Sequence, residues 1–140
     1  MKPSDLTILI AEDDLSLRNI YQKALSAEGY QLVLVESCER ALATLYEKET
    51  DLLITDLKMA YLDKKAIRDK IADMDSFEMF PLLMRNHPRL PVIVVSGSYD
   101  GTEEEFAKNK FENVKGFFLK PLKMDALKQR IREVLKAEDL

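Results

Sequence analysis

The chain is poor in residues that carry several common chemistries. Cys38 is its only cysteine, which excludes an internal disulfide and suits a reducing compartment. No neighbour activates the thiol, so Cys38 reads as a small, partly buried residue near a helix start. His87 is the only histidine, and without a second one a metal role does not follow; beside Pro88 it reads as a loop or helix-end residue. Only four glycines occur, and no glycine-rich phosphate loop follows the first apolar run. Acids stand there instead, which argues against a flavin or nucleotide carrier. No apolar run could span a bilayer, and Met1 to Thr7 is too short and polar for a signal peptide. Basic residues are numerous but interspersed with acids, and the formal net charge is −4. That balance argues against direct nucleic-acid binding or membrane binding as the main activity. A cytoplasmic location is the expectation.

What is present is a regular alternation of apolar runs and amphipathic segments. The 140 residues suffice for one domain with a real core and no disulfide. A first strand, Thr7–Ala11, leads to a helix from about Ser16 to Glu28 with Leu17, Ile20, Ala24 and Leu25 on one face. Gly29 follows where a helix favours a left-handed residue. A second strand, Gln31–Val35, precedes Ser37, a suitable cap for a helix carrying Ala41, Leu42 and Leu45. Strands follow at Asp51–Thr55, Val92–Val95 and Gly116–Leu119, with a short charged helix near Thr102–Lys110. The last helix, about Met124–Lys136, spaces Met124, Leu127, Ile131, Val134 and Leu135 as a core-facing stripe. Uniformly apolar strands alternating with helices predict an α/β fold: a three-layer, doubly wound, five-stranded parallel sheet covered on both faces. No repeat, low-complexity tract or linker interrupts it. The chain reads as a single domain over residues 1–140, with a core of about 6–136 and no room for an output domain.

Four strands end in residues suited to a phosphoryl group. Glu12 and Asp13 follow the first, Asp56 the third, Ser96 the fourth and Lys120 the fifth. In an open parallel sheet the carboxyl ends of the strands share one edge, where such folds place their ligands. A strand-end carboxylate such as Asp56 can attack an activated phosphorus and form an acyl phosphate. Charge repulsion opposes that attack, so a divalent cation is required, and magnesium with its waters needs two or three carboxylates. Lys120 and Ser96 can bond the phosphoryl oxygens. Taken singly these residues have ordinary readings: a surface lysine, a strand-end hydroxyl, a helix-start acid at Asp14. Their coincidence in order and strand position favours the functional one.

The motifs Ile-Leu-Ile-Ala-Glu-Asp-Asp, Asp-Leu-Leu-Ile-Thr-Asp-Leu-Lys-Met, Pro-Val-Ile-Val-Val-Ser-Gly and Gly-Phe-Phe-Leu-Lys-Pro-Leu resemble those of two-component response-regulator receiver domains, from about Leu6 to Leu135. The resemblance implies a flavodoxin-like strand order 2-1-3-4-5. It implies Asp56 as phosphoacceptor, with Mg2+ held by Glu12, Asp13, Asp56 and the backbone carbonyl of Lys58. It makes Ser96 the switch hydroxyl, Phe117 the switch aromatic and Lys120 the phosphoryl-contacting amine, before a cis Lys120–Pro121 bond. It further implies a signalling role rather than a metabolic enzyme. The partners it implies are a sensor histidine kinase or phosphotransfer protein, an unidentified downstream protein target and a homodimer. A phosphorylation-independent interaction module on the same fold is the alternative.

Two features depart from the family pattern. The segment from Asp56 to Ser96 is longer than usual by about three helical turns, placing an insertion at roughly residues 60–73. Leu62, Ala66, Ile67, Ile71 and Met74 approximate one face there. This reads as a short packed helix, with a lid or partner surface beside Asp56 as the sharper alternative. Pro81 either kinks the third helix or starts a new one.

Overall fold

The computed structural model describes residues 1–56, 85–97 and 112–136. The segment 60–73, Pro81, Lys58 and the helix expected near 102–110 lie outside these residues. The described chain runs from a 3-10 turn, Pro3–Asp5, into β1 (Thr7–Ala11), α1 (Leu15–Ser26), β2 (Gln31–Val35), α2 (Cys38–Glu47) and β3 (Leu52–Thr55). It continues with β4 (Val92–Ser96), β5 (Val114–Leu119) and α3 (Met124–Leu135). The strands form one sheet in the order β2-β1-β3-β4-β5, and every pairing is parallel. This is the expected doubly wound order.

Strand alternation divides the core into two layers, because successive side chains point to opposite faces. Leu9, Ala11, Leu53, Val92 and Val94 pack with Cys38 and Ala41 of α2. Ile8, Ile10, Leu52, Ile54, Ile93 and Val95 pack with Tyr21 and Leu25 of α1 and with Leu127 and Ile131 of α3. The helices start where their caps dictate. Asp14 accepts from the amides of Ser16 (2.8 Å) and Leu17 (3.3 Å), satisfying two donors that the helix cannot. Ser37 does the same for Arg40 at 3.3 Å. Gly29, at φ 100°, turns the chain after α1, a conformation open to glycine without a Cβ clash.

Two details differ from the periodicity. On α1 the buried row follows Leu17, Tyr21 and Leu25 at steps of four, whereas Ile20 is 52% exposed. A single sheet contacts a narrower stripe than a fully buried helix would present, and Ile20 falls outside it. On β5 the pairing jumps from Val92–Val114 to Ile93–Gly116, which leaves Lys115 as the extra residue of a bulge. The bulge places Val114 and Phe117, three residues apart, against the same α2-side core, while Phe118 turns to the other layer.

Candidate functional site

The register levels the carboxyl ends of the strands. Ala11 lies opposite both Val35 and Thr55, so the residues after β1 and β3 emerge side by side. The ladder also continues one residue beyond each strand. Glu12 N donates to Val35 O (3.0 Å), Asp56 N to Ala11 O (3.3 Å) and Lys120 N to Ser96 O (2.8 Å). Each site residue therefore has its backbone held by a neighbouring strand end, which restricts where its side chain can reach.

Lys120 occupies the centre. Its Nζ lies 2.7 Å from Asp56 Oδ2 and 2.9 Å from Glu12 Oε1. Glu12, Asp13 and Asp56 each present a carboxylate oxygen within 4.8 Å of the others. Glu12 and Asp56 are buried and Asp13 is exposed, so the cluster is open on one side. Burial pushes the Glu12 carboxyl above its usual value, and the bond from Lys120 draws it back only in part. Burial alone would depress the Lys120 ammonium, but its bonds to Asp56 and Glu12 outweigh that and raise it. Asp14, the third acid of the run, turns away to cap α1. Its backbone amide donates to Glu12 Oε2 at 3.2 Å, which braces the carboxylate from the other side.

The remaining expected residues lie around this centre. Ser96 is fully buried at the end of β4, one residue beyond the level of Asp56 by the Thr55–Val94 pairing. Phe117 pairs with Val94 and packs, half-buried, on the α2-side layer. The Lys120–Pro121 bond is cis, as the resemblance implies. Cys38 is buried as the first residue of α2. His87 lies before the β4 strand, away from the acids by topology, and its Nε2 is buried without a hydrogen-bond partner.

Two residues near the site escape a reading by motif. Arg18 Nη1 donates to the backbone carbonyl of Glu12 at 2.8 Å, and Tyr21 is buried under the same strand ends. The signal for Arg18 is its spacing: four residues after the cap Asp14, it faces back over the first turn. No such signal selects Tyr21 over Ile20.

The description "Response regulator receiver domain" matches residues 8–132. The chain belongs to that family. Among curated relatives of this receiver, the transcriptional regulatory protein GlrR of Escherichia coli (strain K12) is 30% identical over 134 residues, 96% of this chain but 27% of that protein. The DNA-binding transcriptional regulator NtrC of Bradyrhizobium sp. (strain RP501 Parasponia) is 32% identical over 90 residues, 64% of this chain and 16% of that protein. A CheY-like receiver domain protein from Methanospirillum hungatei JF-1 superposes with a TM-score of 0.77, covering 94% of each chain at 22% identity. The fold is thus that of CheY-like receivers, and the chain is the receiver domain of a response regulator in a two-component system. Such domains are signalling modules rather than classical enzymes. Among the described residues no helix is long and apolar enough to cross a membrane.

The relatives also correct the partner expectation. A kinase or phosphotransfer protein, a protein target and a homodimer, with nucleic acid and membrane excluded, do not stand as the receiver's set of partners. The proteins it matches are named as transcriptional regulators, one of them DNA-binding, and the chain spans about a quarter of the first of them. The exclusion rested on a net charge of −4. That charge describes the surface of these 140 residues and carries no information about segments of a longer regulator.

Receivers generally bind Mg2+ at an acidic pocket, and the residues here fit that ion. Among the described residues the cluster offers three carboxylates, hard oxygen donors within 4.8 Å of one another. Such a set favours a small divalent cation over a soft metal.

Proposed function

We propose that this receiver accepts a phosphoryl group on Asp56, from the phosphohistidine of a histidine kinase or from a small acyl phosphate. The observation that carries the reading is the Lys120 ammonium bridging Asp56 at 2.7 Å and Glu12 at 2.9 Å. It marks the place where an anionic group attached to Asp56 would meet a fixed positive charge. A carboxylate oxygen of Asp56 forms the new bond to phosphorus, and the bond to the donor breaks, its electron pair leaving with the donor. Glu12, Asp13 and Asp56, with the backbone carbonyl of Lys58, would hold Mg2+. When bound, that ion neutralises the charge that accumulates between carboxylate and phosphoryl oxygens. Lys120 then exchanges a carboxylate oxygen for a phosphoryl oxygen, and Ser96 donates its hydroxyl to another. Inward movement of Ser96 opens room for Phe117, which re-packs and alters the surface around β5 and α3. With a phenylalanine here, ring packing is the sole contribution of that position. Phosphorylation thereby biases a two-state equilibrium of one receiver domain with a core of about residues 6–136.

Intact-mass analysis after incubation with acetyl phosphate and magnesium tests the reading. One phosphoryl adduct is expected on the wild type, and none without magnesium or on Asp56→Asn. A folded wild type that gains no adduct from acetyl phosphate or from a phosphorylated histidine kinase would instead favour a phosphorylation-independent module.

A further inference from the structure

The β1–α1 loop must aim two adjacent carboxylates at one place, although successive residues of an extended chain point apart. The structure shows what holds it. Glu12 N is fixed by Val35 O at 3.0 Å, and Glu12 O is fixed by Arg18 Nη1 at 2.8 Å. That carbonyl belongs to the planar peptide unit joining Glu12 to Asp13. Fixing its direction also fixes the direction in which the Asp13 backbone departs. The Arg18 side chain is 17% exposed, and its Nη2 lies 4.0 Å from Glu36 Oε2 just past β2. The guanidinium therefore spans from the first turns of α1 to the end of β2, across the loop carrying both acids. Its own backbone is set by the cap, since Arg18 N donates to Asp14 O at 3.0 Å.

We infer that Arg18 is a positioning residue for the cation. It touches neither the ion nor the acceptor, but it locks the Glu12–Asp13 peptide so that both carboxylates converge with Asp56. The inference rests on the reading that these three acids hold the ion. Removing a group that orients ligands typically weakens metal binding by about 10- to 100-fold.

Isothermal titration of the full chain with magnesium chloride tests it, comparing wild type, Arg18→Met, Arg18→Lys and Asp13→Asn. Met keeps the apolar stem without a donor, whereas Lys can still donate one bond to the Glu12 carbonyl. Arg18→Met is expected to bind magnesium about tenfold or more weakly, Arg18→Lys to recover part of that loss, and Asp13→Asn to lose binding almost entirely. Thermal melts without metal separate a general loss of stability. A merely structural arginine would lower the melting temperature yet leave the affinity of the folded protein unchanged. Should Arg18→Met not fold, Arg18→Gln takes its place, and affinity equal to wild type overturns the inference. Wild-type affinity in Arg18→Met, with binding lost in Asp13→Asn, overturns the role of Arg18 alone. Wild-type affinity in Asp13→Asn overturns the ligand set beneath it.

Discussion

Glu12 shows what one methylene does in a crowded acidic site. As a glutamate it reaches Lys120 at 2.9 Å and at the same time accepts from Asp14 N, yet it is 1% exposed. Its carboxyl is held above the ordinary value of 4.5 by burial. A raised value in the folded state means stability that is fully present below the unfolded value and lost as pH rises through the folded one. The metal-free fold therefore loses the Glu12 contribution as pH rises above 4.5. Glu12→Gln is expected to raise the melting temperature at pH 7 without divalent metal and to remove the further rise that magnesium gives the wild type. Differential scanning calorimetry with and without magnesium reads both effects. Tyr21 sets the other end of the pH range. Burial first, then the charges of Glu12 and Asp56, hold its phenol well above the usual tyrosine value of 10.0. The same sign applies: stability is intact below about pH 10 and falls as pH rises beyond it. Tyr21→Phe is expected to flatten that alkaline limb in urea titrations between pH 9 and 11, whereas an unchanged slope would assign it to other groups.

At the scale of elements, the caps and the bulge do most to place the site. Ser37 is fully buried and accepts from Arg40 N, so Ser37→Ala leaves a donor of α2 unmet and is expected to cost about 1 kcal/mol in urea denaturation. The cap at Ser37 was legible because a short polar side chain before an apolar-periodic stretch has one efficient use, and Asp14 was legible as a helix-start acid. The strands were legible for a comparable reason, since apolar runs ending in acids, a hydroxyl or an amine leave few other readings. The Lys115 bulge was not. Nothing in Val114–Leu119 signals an added residue, because the irregularity arises only when β5 is laid against Val92 and Ile93. Gly116 then sits where an added Cβ would come within 3.2 Å of Arg130 Cγ and 3.3 Å of Phe118. Its small size is explained by that packing, which no local pattern displays. The exposed Ile20 and buried Tyr21 have the same origin, since both suit a helix equally and the sheet's contact stripe selects between them.

Across the whole molecule, β1 is flanked on both sides by strands and covered on both faces. Ile8, Leu9 and Ile10 are each 0% exposed, and the loop after them carries Glu12 and Asp13. Ile10→Ala is expected to destabilise by about 2–5 kcal/mol, read as a lower urea midpoint at an unchanged slope. The long tie of Arg132 to Glu28, at 2.9 and 3.0 Å, joins α3 to the end of α1, but its exposed partners make it a weak contributor. The sequence by itself determined which polar residues end the strands, because apolar runs and the residues that follow them are local patterns, and the order of those residues along the chain suggested their joint reading. It determined the strand order only through resemblance. Tertiary structure alone decided that Lys120 bridges Asp56 and Glu12. That bridge depends on the register of parallel strands brought together from distant parts of the chain, and register is a property of pairing, not of any one strand.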